Sequence, residues 1–75
     1  MTPGGLLVIL LKDRSLTQAG LAGLIARPPQ MVGEIVHGKK RVTASTALQF
    51  ERVFGLSARV WLSLQHETDL SEVKS

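Results

Sequence analysis

The chain contains no cysteine and no tyrosine, and two phenylalanines and one tryptophan are its whole aromatic content in 75 residues. Without thiols there is no disulfide framework, no thiolate metal site and no cysteine nucleophile. Two histidines, His37 and His66, and six acidic residues show no metal-ligand spacing, so neither a metal nor a cofactor is expected. Long apolar runs are also missing. The longest, Leu6 to Leu11, spans six residues and is closed by Lys12-Asp13-Arg14. That is too short for a membrane span or a signal-peptide core, which points to a cytoplasmic protein with no membrane partner. Paired carboxylates and an activated nucleophile are lacking as well. Asp13, Glu34 and Glu51 fall on separate elements, so an enzyme is not expected.

What is present is the composition of a folded chain, with 44% hydrophobic and 20% charged residues. Its length suits one small domain over residues 1–75. A domain of this size buries only about 60–65% of its unfolded surface, so association with a second copy is a natural supplement to stability. The net charge of +3 is unevenly spread. Residues 27–43 hold Arg27, Lys39, Lys40 and Arg41 against Glu34, a net of +3, whereas residues 61–75 carry a net of −2. A basic middle and an acidic end suggest a polyanion on one side only.

Periodicity and caps divide the chain into five helices, an all-α bundle. Thr2-Pro3 starts the first, which runs to about Arg14 with Leu6, Leu7, Leu10 and Leu11 on one face. Val8 and Ile9 lie off that face. They are either covered by later helices, the reading favoured in a chain with few spare residues, or left as a partner surface. Thr17 caps the second helix, whose stripe is Ala19, Leu21, Ala22 and Ile25. Pro28-Pro29 ends it and opens a third, running to about His37, with Val32, Ile35 and Val36 inward and Gln30, Met31, Gly33, Glu34 and His37 outward. Gly38 is its left-handed stop. Thr43 caps a fourth helix, 44–54, with Ala47, Leu48, Phe50 and Phe54 buried. After Gly55, Ser57 caps a fifth, with Val60, Trp61 and Leu64 turned inward and residues 71–75 frayed.

Residues 17–38 thus form two short helices joined by a tight turn, with positive charge directly after the second. This is a compact device for entering a DNA groove. Thr17 and Gln18 start the second helix, where freed amides and the helix dipole favour a phosphate. The first turn of the third helix would place Pro29, Gln30 and Gly33 over the groove floor. Gln30 suits bidentate pairing with adenine, and Met31 suits contact with a thymine methyl. His37 stands at the helix end, where it is either a reader or a dipole partner. Lys39, Lys40, Arg41 and the Thr43 hydroxyl would hold the phosphate backbone.

One pattern runs nearly the whole chain: Pro3-Gly4, Leu16-Thr17-Gln18-Ala19 with Leu21-Ala22, Glu34-Ile35-Val36, Gly38-Lys39-Lys40, and Val42-Thr43 with Thr46-Ala47-Leu48. It continues through Phe50-Glu51, Phe54-Gly55, Ser57, Trp61-Leu62, Leu64-Gln65 and Asp69-Leu70. From Pro3 to Leu70 the sequence resembles the Xre/Cro-type helix-turn-helix proteins and, within them, the HigA-like (VapI-like) antitoxins of type II toxin–antitoxin systems. The resemblance implies a compact five-helix bundle of the lambda-repressor-like type. It implies a homodimer that represses its own operon at a palindromic operator in double-stranded DNA and neutralises a RelE/HigB-like mRNA endonuclease toxin. It also implies dimerisation through the C-terminal helical segment, here about residues 57–70 with Val60, Trp61 and Leu64. The sequence departs from the pattern in the turn, where Ala26-Arg27-Pro28-Pro29 replaces a Gly-Val-Ser-Arg-like stretch, and at Pro29, Met31 and Gly33, where polar or basic readers are usual. Two alternatives stand beside this reading: a stand-alone Xre-type repressor without a toxin, and a protein-binding module whose DNA face has decayed.

Overall fold

In a computed structural model, which describes residues 1–74, the chain forms five helices. These are α1 (Pro3–Asp13), α2 (Gln18–Leu24), α3 (Pro29–Val36), α4 (Ala44–Phe54) and α5 (Ala58–Lys74). Their starts follow local hydrogen-bond chemistry. The Thr2 hydroxyl accepts from the Gly5 amide at 3.0 Å, Thr17 from Gly20 at 2.9 Å and Thr43 from Thr46 at 3.4 Å, each filling one of the amides a helix start leaves free. At α5 the Ser57 hydroxyl accepts from Arg59 N at 3.2 Å, and Glu51 reaches over from α4 to accept from Ala58 N at 2.7 Å. Only the start of α3 has no side-chain cap, because Pro28 occupies that position.

The ends are equally local. Gly38 (φ 75°) and Gly55 (φ 81°) adopt the left-handed conformation that stops a helix. Ser15 (φ 51°) and Ala26 (φ 54°) adopt it too, in the turns flanking α2. A side chain there costs about 1–2 kcal/mol, so the packing on either side imposes these turns.

That packing centres on Leu7, Leu21, Val32, Ile35, Val42, Phe50 and Trp61, all fully buried. All three aromatic rings gather in it: Trp61 lies 4.8 Å from Phe50 and 6.1 Å from Phe54, centroid to centroid. Gly4 lets α1 close on α3, since a Cβ there would stand 2.4 Å from the Ile35 carbonyl oxygen and 2.6 Å from that of Val36.

Several expected faces are corrected. Val8 and Ile9 are not covered by later helices, being 46% and 52% exposed. Leu48 is 53% exposed, because α4 buries Thr46, Ala47, Phe50 and Phe54, and Leu48 lies one 100° step beyond that arc. Val60 is exposed for the same reason beside Trp61. Ala19 is exposed together with Thr17 and Gln18 in the uncovered first turn of α2. Finally, α5 does not fray at residue 71 but continues to Lys74, since no glycine or proline follows Gly55 to break it. Of the expected frayed segment, Ser75 lies outside the described residues.

Candidate nucleic-acid interface

The geometry starts at the α2–α3 turn. α2 is capped at Ile25, Ala26 reverses the chain, and Pro28 (φ −62°, ψ 140°) feeds Pro29 into the first turn of α3. α3 buries Val32 and Ile35 as expected, and it buries Met31 with them. Met31 is therefore not an outward residue available to a thymine methyl. Positions 31, 32 and 35 share one arc, and the unbranched thioether chain fills the space there. The opposite side carries Pro29, Gln30 and His37, all exposed, with Gly33 half-buried between them.

Gly33 is partly covered from α2. The Oε1 of Gln18 lies 3.3 Å from where a Cβ on Gly33 would stand, so the missing side chain makes room for Gln18 to lie across α3. The start of α2 and the outward side of α3 thereby form one surface. Thr17 sits at its edge with its hydroxyl engaged as the α2 cap.

The basic triplet is divided. Its backbone folds back on α3, the amides of Lys39 and Lys40 both donating to the Glu34 carbonyl oxygen at 2.8 and 3.2 Å. Lys39 and Lys40 are exposed in the loop after α3, where they line a groove with Thr2, Gly4, Gln65 and Glu72. Arg41 is not a free phosphate anchor: its Nε donates to Asp69 Oδ1 at 3.2 Å and its Nη2 donates to Asp69 Oδ2. The same Oδ1 accepts from Gln65 Nε2 at 2.9 Å, and Gln65 Oε1 accepts from the buried Val42 amide at 2.8 Å. Hydrogen bonds from Arg41 and Gln65 hold the Asp69 carboxyl below the usual carboxylate range, and the carboxylate raises the Arg41 guanidinium in turn. The Thr43 hydroxyl is also occupied, capping α4 and sharing a hydrogen bond with Thr46 Oγ1 at 3.2 Å. Arg27 is tied to α4 through Ser45 Oγ at 3.2 Å.

Of the residues expected on DNA, the structure brings Gln18 to Gly33, leaves Pro29, Gln30, His37, Lys39 and Lys40 exposed on α3 and the loop after it, turns Met31 inward, and engages Thr17, Arg41 and Thr43 in other contacts. On α5, Trp61 belongs to the core and has no surface to offer a partner, Val60 is exposed and Leu64 is half-buried. Gln65 and Asp69 enter the sequence reading only as part of the resemblance pattern, with no role assigned to either. Their spacing of four on one helix, next to a buried tryptophan, was the available signal. Among the described residues no three His, Asp or Glu side chains gather as metal ligands would, and no helix is long and apolar enough to cross a membrane.

No protein-family model matches the chain. It is 38% identical over 60 residues to virulence-associated protein I of Dichelobacter nodosus, a match covering 80% of this chain but only 56% of that protein, so the chain spans little more than half of that relative. Solved structures agree more fully. An addiction module antidote protein of the HigA family from Coxiella burnetii is 32% identical with a TM-score of 0.84, over 93% of this chain and 77% of that one. The chain belongs to the HigA family. The Pseudomonas aeruginosa antitoxin HigA, solved with the higBA promoter, superposes with a TM-score of 0.91 at 28% identity, over 97% of this chain and 80% of that one. The five helices are those of the HigA helix-turn-helix fold, and Gln18, Gln30 and Gly33 lie on α2 and α3 of this chain.

Proposed function

We propose that this HigA-family chain is a DNA-binding antitoxin. It binds a palindromic operator as a homodimer, represses its own operon and neutralises a RelE/HigB-like mRNA endonuclease. The observation that carries the DNA part is that the Gln18 side chain of α2 reaches α3 at Gly33, with Gln30 exposed on that helix and Lys39 and Lys40 exposed in the loop that follows it. A relative of the same fold solved on its promoter supports that reading. In it Gln30 reads a base edge, Gln18 and the first turn of α2 meet a phosphate, and the two lysines set register on the backbone. Pro29, Gly33 and His37 line the groove. The second copy docks along α5, where Leu62, Leu70 and Val73 fall on one exposed side.

The test is selection from a randomised duplex pool with the purified protein. Enrichment of a two-fold palindrome with half-sites about one helical turn apart is the expected result. A pool that stays random would overturn sequence-specific repression.

A second reading, a protein-binding module, is favoured by Val8 and Ile9, an apolar pair open on the surface of α1. Duplex binding with no dependence on salt would support it, because phosphate contacts must release counterions.

A further inference from the structure

The acidic end of the chain sits against its basic loop. Arg41 and Asp69 are 28 residues apart in sequence, yet they meet through two parallel hydrogen bonds from one guanidinium edge to one carboxylate. This fork-to-fork geometry is the strongest form of such a pair. The carboxylate does not swing freely, because Gln65 Nε2 holds its Oδ1 and Gln65 is itself buried and fixed to Val42 N. The Arg41 side chain remains two-thirds exposed. The contact therefore lies at the surface, where the loop carrying Lys39 and Lys40 faces solvent.

We infer that Asp69 is an affinity-setting residue of the DNA interface, cancelling the charge of Arg41 so that only Lys39 and Lys40 of the basic triplet act on the phosphate backbone. The inference rests on the DNA-binding reading above. A guanidinium already matched by a carboxylate does not neutralise a phosphate, so it releases none of the cations condensed on the duplex. Bringing a phosphate to it also brings the phosphate to Asp69. The α5 helix thus lowers non-specific attraction while leaving the base-reading surface of α2 and α3 untouched.

The test is the salt dependence of binding to a non-specific duplex, since each phosphate neutralised contributes about 0.9 to the slope of log K against log salt. Asp69→Asn keeps the size of the side chain and removes its charge. It should bind more tightly at low salt and steepen the slope by about one. Arg41→Ala with Asp69→Asn should return to the wild-type slope, and so should Arg41→Ala with Asp69→Ala, whereas Arg41→Ala alone leaves Asp69 a bare carboxylate and should bind less tightly. Glu67→Gln removes an equal charge from α5 without touching Arg41, and should also leave the slope unchanged. An Asp69→Asn slope equal to wild type, or a slope for either double variant shallower than wild type by about one, overturns the inference. Should Asp69→Asn fail to fold, the slope of Arg41→Ala with Asp69→Ala decides alone. Lys40→Ala separates the two levels of argument. A shallower slope for it keeps the DNA reading even where the Asp69 inference fails, and wild-type protein that does not bind duplex at all overturns both.

Discussion

The Gln65 side chain closes the fold across 23 residues by accepting the Val42 amide proton at 2.8 Å. Both groups are buried, and Val42 lies in the short segment between the basic loop and α4. Gln65→Leu leaves that amide with no acceptor and no access to water. We expect a loss of about 1–3 kcal/mol by urea denaturation, the cost of an unsatisfied buried donor. In a domain of this size that lowers the melting temperature by at least about 4 °C. A variant as stable as the wild type would show that water replaces Gln65 and that the α5-to-loop link is dispensable.

Two glycines should respond to alanine with opposite signs. Each sits in a helix, where alanine is favoured by up to about 1 kcal/mol. Around Gly23 no heavy atom lies within 4 Å of an added Cβ, so Gly23→Ala should stabilise by about that amount. At Gly4 the Cβ would meet two α3 carbonyl oxygens at 2.4 and 2.6 Å, which are backbone and cannot swing aside. Gly4→Ala must push α1 off α3, a net loss of about 1–3 kcal/mol. Chemical denaturation of the two variants in parallel checks both, and equal shifts would mean that α1 and α3 do not approach as described.

These cases show which parts of the fold were legible in the sequence. Thr2, Thr17, Thr43, Gly38 and Gly55 act within three or four residues of themselves, so their capping and stopping roles followed from residue type and position. The outer limits of the buried arcs did not. A helix turns 100° per residue, and Leu48 or Val60 looks as apolar as its buried neighbour until the partner helices are in place. Met31 is left outward by a stripe of Val32, Ile35 and Val36, but the buried arc of α3 takes in position 31 and leaves Val36 half-buried. In the candidate interface, Gln18 and Gly33 were each singled out, but their contact depends on how α2 crosses α3. The Arg41–Asp69 pair was hidden entirely: charge counting separated a basic middle from an acidic end, and the fold brings the two together.

The same pair sets a pH dependence. The Asp69 carboxyl is held below its ordinary value by Arg41 first and Gln65 second, so its contribution to stability is fully present above the unfolded-chain pKa of about 3.9. It is lost as pH falls from there through the depressed folded-state value. Melting temperatures of wild type and Asp69→Asn should therefore differ by a constant amount near neutrality and converge below about pH 4. A difference that persists unchanged into strong acid would mean that the carboxylate charge is not what stabilises this contact.

Base reading should concentrate on one side chain. With Met31 buried and Gly33 lacking a side chain, Gln30 is the exposed residue of the first turn of α3 able to pair bidentately with an adenine edge. Gln30→Ala leaves Lys39, Lys40 and the start of α2 in place, so its affinity for random duplex and its salt slope should match the wild type. Its selected operator should lose preference at one base pair in each half-site, equivalent to about 1–3 kcal/mol of discrimination. That combination separates a reader from a structural residue, because a misfolded recognition helix would weaken binding to every sequence and blur every position. An unchanged operator would move the reading function to Gln18 or His37, the other exposed hydrogen-bonding side chains of the surface.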